Sequence, residues 1–456
     1  MSERTSQSAA LSASVVFADW LPELEATEQI LVGFSGGLDS TVLLRLLVEV
    51  VSAERIMALH INHGLSANAA GWQHHAAQVC LDLGIQFEAQ SVTVTESGDG
   101  IESAARDARY AVFEKQLIKG GRLLLGHHAD DQVETVLYRL LRGSGPRGLS
   151  GIPVTRAVGR GRLIRPLLEY PKAALEDYAH AQKLSWIEDE SNQDNKFDRN
   201  YLRNRVVPAL VERWPDYIQG VTHSAELSRQ ADQLADAVAR ADLDALEPRI
   251  ERAGWSLALS GFDQLEPLRQ KNLLRYWPQM YGLPLLNPTL IDETLNSLLP
   301  ARGDSEPRIA RRDLQLCRYR QRLYLLQRRS PLSGRAQVDQ DLCLFWNGDE
   351  PLLLPDGNLL TAEPVLGAGL RVEDPESLTV RFRRGGERCQ PAGRGHSNSL
   401  KKLLQEHALE PWWRERIPLF YIDEQLVAVG DLWVCEEWQA EADNKGLKII
   451  WRTNSL

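Results

Sequence analysis

The residues best able to do chemistry fall in three short runs. Ser35, Gly36, Gly37, Leu38, Asp39 and Ser40, with Thr41 behind them, close an apolar run and open a helix-like pattern. His60, Asn62 and His63 end a second apolar run, and Gly126, His127, His128, Asp130, Asp131 and Glu134 follow a third. In the first run the glycines permit unusual backbone angles and close ligand approach, and the free N–H groups of a helix start form an anion site. The hydroxyls of Ser35, Ser40 and Thr41 can donate to phosphate oxygens. No Gly-Lys-Ser/Thr and no G-x-G-x-x-G is present, so this is neither the standard nucleoside-triphosphatase loop nor a good dinucleotide fingerprint. Asp131 and Glu134, three apart, share one helical face and can share a metal. Three readings of that last run stand together: groups serving a nucleotide site, a histidine-carboxylate metal centre for hydrolysis, and acids decorating a helix start where negative charge is favoured.

Elements must hold these runs in place. Segments 29–34, 55–61 and 121–126 read as strands, and the stretches between them carry apolar residues at helical spacing. Strands alternating with helices imply right-handed crossovers and a parallel sheet covered on both faces, with ligands at the carboxyl ends of strands, where the three runs fall. The expected class is α/β, with a first domain over residues 1–214. Pro171 is placed as a first helical residue, and the polar segment 186–198 leads to an arginine-rich helix stopped near Pro208. Residues 215–246 read as one long helix opening a mostly helical middle domain (215–330) with a short β tail. A linker (331–350) and a small α+β domain (351–456) follow.

Composition bounds the function. At 456 residues, 43% hydrophobic and 25% charged, the chain reads as a soluble protein of two or three domains. No apolar run reaches the roughly 18–20 residues of a membrane span, and the polar start lacks the order of a secretory signal, so a cytoplasmic location is expected. Five scattered cysteines without a C-x-x-C argue against a disulfide framework or a thiolate zinc site. The net charge of −10 argues against a polyanionic partner for the chain as a whole. Two stretches depart from it: ten arginines against three acids over 302–335, and seven Lys or Arg against Glu387 alone over 381–402. Arg311, Arg312, Arg383, Arg384, Lys401 and Lys402 are the candidate phosphate contacts; the alternative is a solvated surface.

The string S-G-G-x-D-S resembles the signature of the PP-loop, or N-type, ATP pyrophosphatases. Its succession with H-x-N-H-G-L, R-x-x-R-Y, G-H-H-x-D-D-Q-x-E-T and R-G-S-G-x-x-G-L, then "RPLL", "WIEDESNQD" and "RNYLRNRVVP", is similar to the tRNA(Ile)-lysidine synthetase family. The similarity resumes over 378–434. It implies a Rossmann-like parallel sheet, a helical middle domain and a C-terminal domain that bind tRNA, and two reaction steps. ATP adenylates the O2 of the wobble cytidine in a CAU anticodon, and the ε-amine of L-lysine then displaces AMP. It further implies that Ser35 to Ser40 hold the ATP phosphates and that Asp39, with Asp131, organises Mg2+. His127, Asp131 and Glu134 would lie near the reacting base, and Arg109 and Arg203 would contact phosphates or the lysine carboxylate. Trp412 and Trp413 are available for stacking on RNA, or belong to the core. The acidic loop around Glu188 and Asp189 is a candidate for the lysine ammonium, and the resemblance allows a homodimer. One departure is Ser66, where the family often has an arginine after H-G-L.

Overall fold

The computed structural model describes residues 11–64, 68–94, 101–252, 254–283, 285–301, 307–311, 314–327, 341–371 and 378–452. The chain divides into two compact units, Met1–Gln233 and Leu234–Leu456. Among the described residues no helix is long and apolar enough to cross a membrane.

The first unit is built on six strands: β1 (Ile30–Gly33), β2 (Ile56–Asn62), β3 (Gln86–Ser91), β4 (Arg122–Leu124), β5 (Thr155–Val158) and β6 (Gly161–Ile164). Their order is β3-β2-β1-β4-β6-β5, parallel except for β5. β1 pairs with β2 on one side and β4 on the other, Ile30 standing level with both Ile56 and Arg122. The chain winds outward to β3 and then returns to β4, so the β1/β4 boundary is the topological switch point, where crossovers leave a crevice at the strand ends.

Alternation along β1 explains why both faces are covered. Ile30 and Val32 enter one apolar cluster with Val42, Leu43 and Leu175; Leu31 enters the opposite one with Leu59, Phe113 and Leu163. Ile30, Leu31 and Val32 have no exposed surface, and burial of each contributes on the order of 1.5–3 kcal/mol. The helices Leu38–Leu47, Ala69–Leu83 and Ile101–Gln116 make the crossovers. β3 (QFEAQS) lies at the sheet edge and is mostly half-exposed, without the apolar run that marks β1.

Two boundaries differ from expectation. Pro171 caps its helix instead of opening it, the helix being Lys172–Ala181. The arginine-rich helix does not stop at Pro208: Asp198–Tyr201 passes through a π-helical turn, Leu202–Val206, into Val207–Arg213. Proline removes a donor and crowds the preceding turn, and the wider π turn accommodates both.

In the second unit the middle segment holds more β structure than the short tail expected. Arg249–Glu251, Gly254–Ala258, Arg308–Ala310, Leu314–Tyr319 and Arg322–Gln327 form one antiparallel sheet, packed with the helices Pro267–Tyr276 and Pro288–Glu293. Gly254 allows the close strand approach, since a β-carbon there would lie 2.2 Å from the Leu325 carbonyl oxygen. The C-terminal part has a five-stranded and a three-stranded antiparallel sheet with one helix, Leu400–Glu406. Its strand Cys343–Phe345 pairs with Leu378–Arg381, although it falls within the segment read as linker.

Candidate active site

The loop after β1 is braced from within. Gly37 N–H donates to Ser35 Oγ at 3.2 Å, and Ser40 Oγ donates to the Gly37 carbonyl at 3.1 Å while lying 3.1 Å from Ser35 Oγ. Ser40 and Thr41 are buried and Ser35 is exposed, so of the three hydroxyls Ser35 is the one turned outward. Gly36 has φ +82°, and a β-carbon there would lie 2.8 Å from Ile187 Cδ1. The Ile187 amide donates to the Gly36 carbonyl at 2.9 Å, which pins the acidic 188–190 segment beside the loop. Gly37 is the N-cap of Leu38–Leu47, and the first N–H groups of that helix have no carbonyl partner within it.

The loop after β4 meets this helix across the switch point. A β-carbon on Gly126 would lie 2.8 Å from the Asp39 carbonyl oxygen and 3.1 Å from Ser40 N, so only glycine lets the two loops touch. His128 is the N-cap of Ala129–Leu141, its amide donating to Asp131 Oδ2 at 3.1 Å. Its imidazole is buried among three carboxylates: Nε2 is 3.7 Å from Asp39 and 3.6 Å from Asp131, and Nδ1 is 3.5 Å from Asp130. Burial opposes its protonation, but Asp130, Asp131 and Asp39 lift it to about 9, so at neutral pH it is a cation. Burial raises the Asp39 carboxyl and Asp131 adds to this, with His128 opposing. Asp130 accepts from the Lys172 amide at 2.7 Å and from the Tyr217 hydroxyl at 3.2 Å, which makes it a clamp between elements.

The neighbouring His127 has the opposite electrostatics. Burial drives it down to about 3, with Arg165, Arg109 and Arg106 adding and Asp131 opposing. Arg165, 2% exposed, donates from Nε to His127 Nδ1 at 3.3 Å, from Nη1 to the Pro153 carbonyl at 2.6 Å and from Nη2 to the Tyr110 hydroxyl at 3.3 Å. Tyr110 in turn carries the exposed Arg106 and Arg156 over its ring, at 5.1 and 4.3 Å from the centroid. Burial works against ionising this phenol, yet the positive charge of Arg106, Arg165, Arg156 and Arg109 lowers its pKa. A concentration of arginines on one side of His127 is a local reversal of the chain's acidic balance. Like charges held together in this way favour an anion.

Glu134 does not stand free to share a metal with Asp131. It is 2% exposed and accepts two hydrogen bonds from Arg203, at 2.6 and 2.9 Å. Asp131 lies 3.5 Å from the same guanidinium and 4.0 Å from Arg199. Arg199, in the helical turn Asp198–Tyr201, and Arg203, in the π turn that follows, face these acids. Asp39 and Asp131, by contrast, converge on one imidazole edge, and Asp39 Oδ1 is enclosed with no hydrogen-bond partner among the described residues. Two carboxylates at one point suit a hard divalent cation. Among the described residues no group of three or more His, Cys, Asp and Glu is set to hold a metal. A cation at Asp39 and Asp131 would complete its shell with phosphate oxygens and water, as Mg2+ does.

Known proteins match along this chain. A PP-loop domain family covers residues 8–210, a TilS substrate binding domain residues 257–324 and a TilS substrate C-terminal domain residues 378–451. The tRNA(Ile)-lysidine synthase of Coxiella burnetii is 37% identical, over 94% of this chain and 94% of its own. That of Pectobacterium atrosepticum is 39% identical, over 93% of this chain and 95% of its own. The chain belongs to the tRNA(Ile)-lysidine synthase family. Among solved structures, the U34-tRNA thiolase NcsA from Methanococcus maripaludis aligns with 47% of this chain and 80% of its own at 16% identity, TM-score 0.38.

In this family member the expected residues fare unequally. Ser35 to Ser40, His127 and Asp131 come together at the switch point, and Arg109 lies near enough to His63 and His127 to lower both imidazole pKa values. His60 is structural: it is buried, with Nδ1 3.0 Å from the Phe34 carbonyl oxygen. Asn62 accepts from the Gly64 amide at 2.8 Å. Ser66 lies outside the described residues. Arg165, Arg199 and Tyr110 had no role from sequence, although "RPLL" and R-x-x-R-Y contain two of them. The missed signal was an arginine flanked by apolar residues, which must satisfy its donors internally if buried.

The basic stretches are partly framework. Arg318 donates to the Leu299 and Ala301 carbonyls, and Arg322 to Ser256 Oγ and the Glu247 carbonyl. Arg311 pairs with Glu293, Arg383 with Glu387, Arg384 with Asp341 and Lys402 with Glu406, while Lys401 is exposed. Arg312 lies outside the described residues. The paired tryptophans are packed, not presented for stacking. Trp413 is 5% exposed and edge-on to Trp451, and Trp412 sits between Tyr319 and Tyr324. Two adjacent aromatics of a short 3-10 turn, Pro411–Trp413, point to different sides, and here each side is apolar.

Proposed function

We propose that this chain joins L-lysine to carbon 2 of the wobble cytidine in a CAU-anticodon tRNA(Ile), using ATP and releasing AMP and pyrophosphate. The observation that carries the reading is the meeting of the Ser35–Ser40 loop with the His127–Asp131 loop at Gly126. It sets an anion-binding helix start beside a buried cationic histidine and two carboxylates. The helix-start amides and the exposed Ser35 hydroxyl cradle the phosphates and stabilise charge that develops as pyrophosphate departs, while the buried His128 cation offsets the carboxylates beside them. Mg2+, held by Asp39 and Asp131, would neutralise the same charge. A cytosine carbonyl is a poor electrophile until its oxygen becomes a leaving group, which adenylation provides. The base reaches such a site more easily from a loop than from a duplex. The acids at Glu188 and Asp189, pinned near the loop through Ile187, are the proposed contacts for the lysine ammonium.

The test is incubation with ATP, labelled lysine and a CAU-anticodon transcript, followed by mass spectrometry of the nucleosides. Lysidine and stoichiometric AMP are expected. Absence of lysine from the RNA, with the protein folded and ATP bound, would remove the proposal. Asp39→Asn is expected to abolish turnover while retaining tRNA on a filter.

A further inference from the structure

Arg165 is a buried charge for which the phosphate chemistry has no direct use. Among the described residues it pairs with no carboxylate; its partners are a carbonyl, a phenol and an imidazole nitrogen. Burying a guanidinium without an anionic partner is costly and has to be compensated by other interactions. Proteins retain such costs at functional sites more than in plain framework.

We propose that Arg165 is a positioning residue that fixes His127 as the neutral Nε2–H tautomer, so that the ring offers one N–H donor to the reacting oxygens. A guanidinium only donates, so the nitrogen it touches must carry the lone pair. That nitrogen is Nδ1. The ring proton is therefore on Nε2. The same guanidinium holds the Pro153 carbonyl and the Tyr110 hydroxyl, so its plane, and with it the direction of the bond to His127, is set by two anchors on other elements. Burial and the nearby Arg165, Arg109 and Arg106 charges keep the ring from becoming a second imidazolium beside His128. The division of labour is thus between adjacent residues: His128 carries charge, and His127 carries a directed hydrogen bond. No proton need leave His127 in either step. The role in the reaction rests on the proposed lysidine-forming activity; the tautomer does not.

The experiment uses the full-length chain labelled with 15N-histidine. Its ten histidines are resolved by long-range proton–nitrogen correlation at pH 7, and His127 is assigned by its loss in His127→Gln. A pyridine-like Nδ1 and a pyrrole-like Nε2 are expected in the wild type. The reverse tautomer, or an imidazolium, would overturn the proposal whatever the variants do. In Arg165→Met, checked for folding by thermal melting, the tautomer should become mixed, and kcat should fall on the order of 100-fold with the ATP KM roughly unchanged. An unaltered Nε2–H signature in a folded Arg165→Met protein would show that the arginine is only structural. The nitrogen spectrum needs no substrate, so it decides this point even if lysine is never incorporated.

Discussion

Arg203 grips the buried carboxylate of Glu134 through two hydrogen bonds of 2.6 and 2.9 Å, across 69 positions of sequence. This pair fastens the arginine-rich segment to the helix whose first turn forms the site. Arg203→Met leaves a desolvated carboxylate without its donor, and we expect a loss of about 2–3 kcal/mol in urea unfolding. Adding Glu134→Leu should restore part of it, because the buried carboxylate, left with Arg199 at 3.8 Å as its remaining cation, is then gone. Equal stability of wild type and Arg203→Met would contradict the finding.

Gly126 sets the distance between the two loops. Gly126→Ala must push the Asp39 carbonyl away, since the new carbon would start 2.8 Å from it. Overpacking of this kind costs about 1–3 kcal/mol, and because the strain falls on the turn that carries Asp39, AMP release should suffer more than melting temperature. Full activity in the alanine variant would show that the loops can part without consequence.

His127 and His128 give folding stability opposite pH dependences. The His128 pKa in the fold, about 9, lies above its ordinary 6.5. Its contribution is complete below pH 6.5 and fades by about 1.4 kcal/mol per pH unit until pH 9. The His127 pKa, about 3, lies below 6.5, so stability falls as pH drops from 6.5 toward 3, where the unfolded chain takes up a proton and the native ring does not. Unfolding of the metal-free protein should show the alkaline slope, and His128→Gln should flatten it. A flat profile from pH 6.5 to 9 in the wild type would refute the caged cation.

We propose that Arg106 and Arg156, exposed over the Tyr110 ring, meet RNA phosphates. Each Gln substitution should weaken tRNA retention and lower the slope of log affinity against log salt by about one. ATP binding should be unchanged. A loss of ATP binding with an unaltered salt slope would assign these arginines to the nucleotide instead.

Much of the catalytic half was legible because its signals are local. An apolar run ended by two glycines makes a strand and a helix start wherever it is placed, and helix-length spacers force parallel strands, so β1, β2 and β4 and the loops at their ends followed from order and period. The charge pattern was legible too, but not its use. Whether Glu134 serves a metal or an arginine, whether Trp412 faces RNA or Tyr324, and whether Arg318 reaches a phosphate or the Leu299 carbonyl depend on residues distant in sequence. No periodicity records those neighbours.

What the sequence determined by itself is the set of groups at the switch point, because sheet winding places every loop after a parallel strand on one edge. What only the tertiary structure decided is their state. His127 and His128 are the same side chain one position apart, yet three carboxylates surround one and a buried guanidinium meets the other. Desolvation and the field of nearby charges, both set by packing, make His127 neutral and His128 a cation.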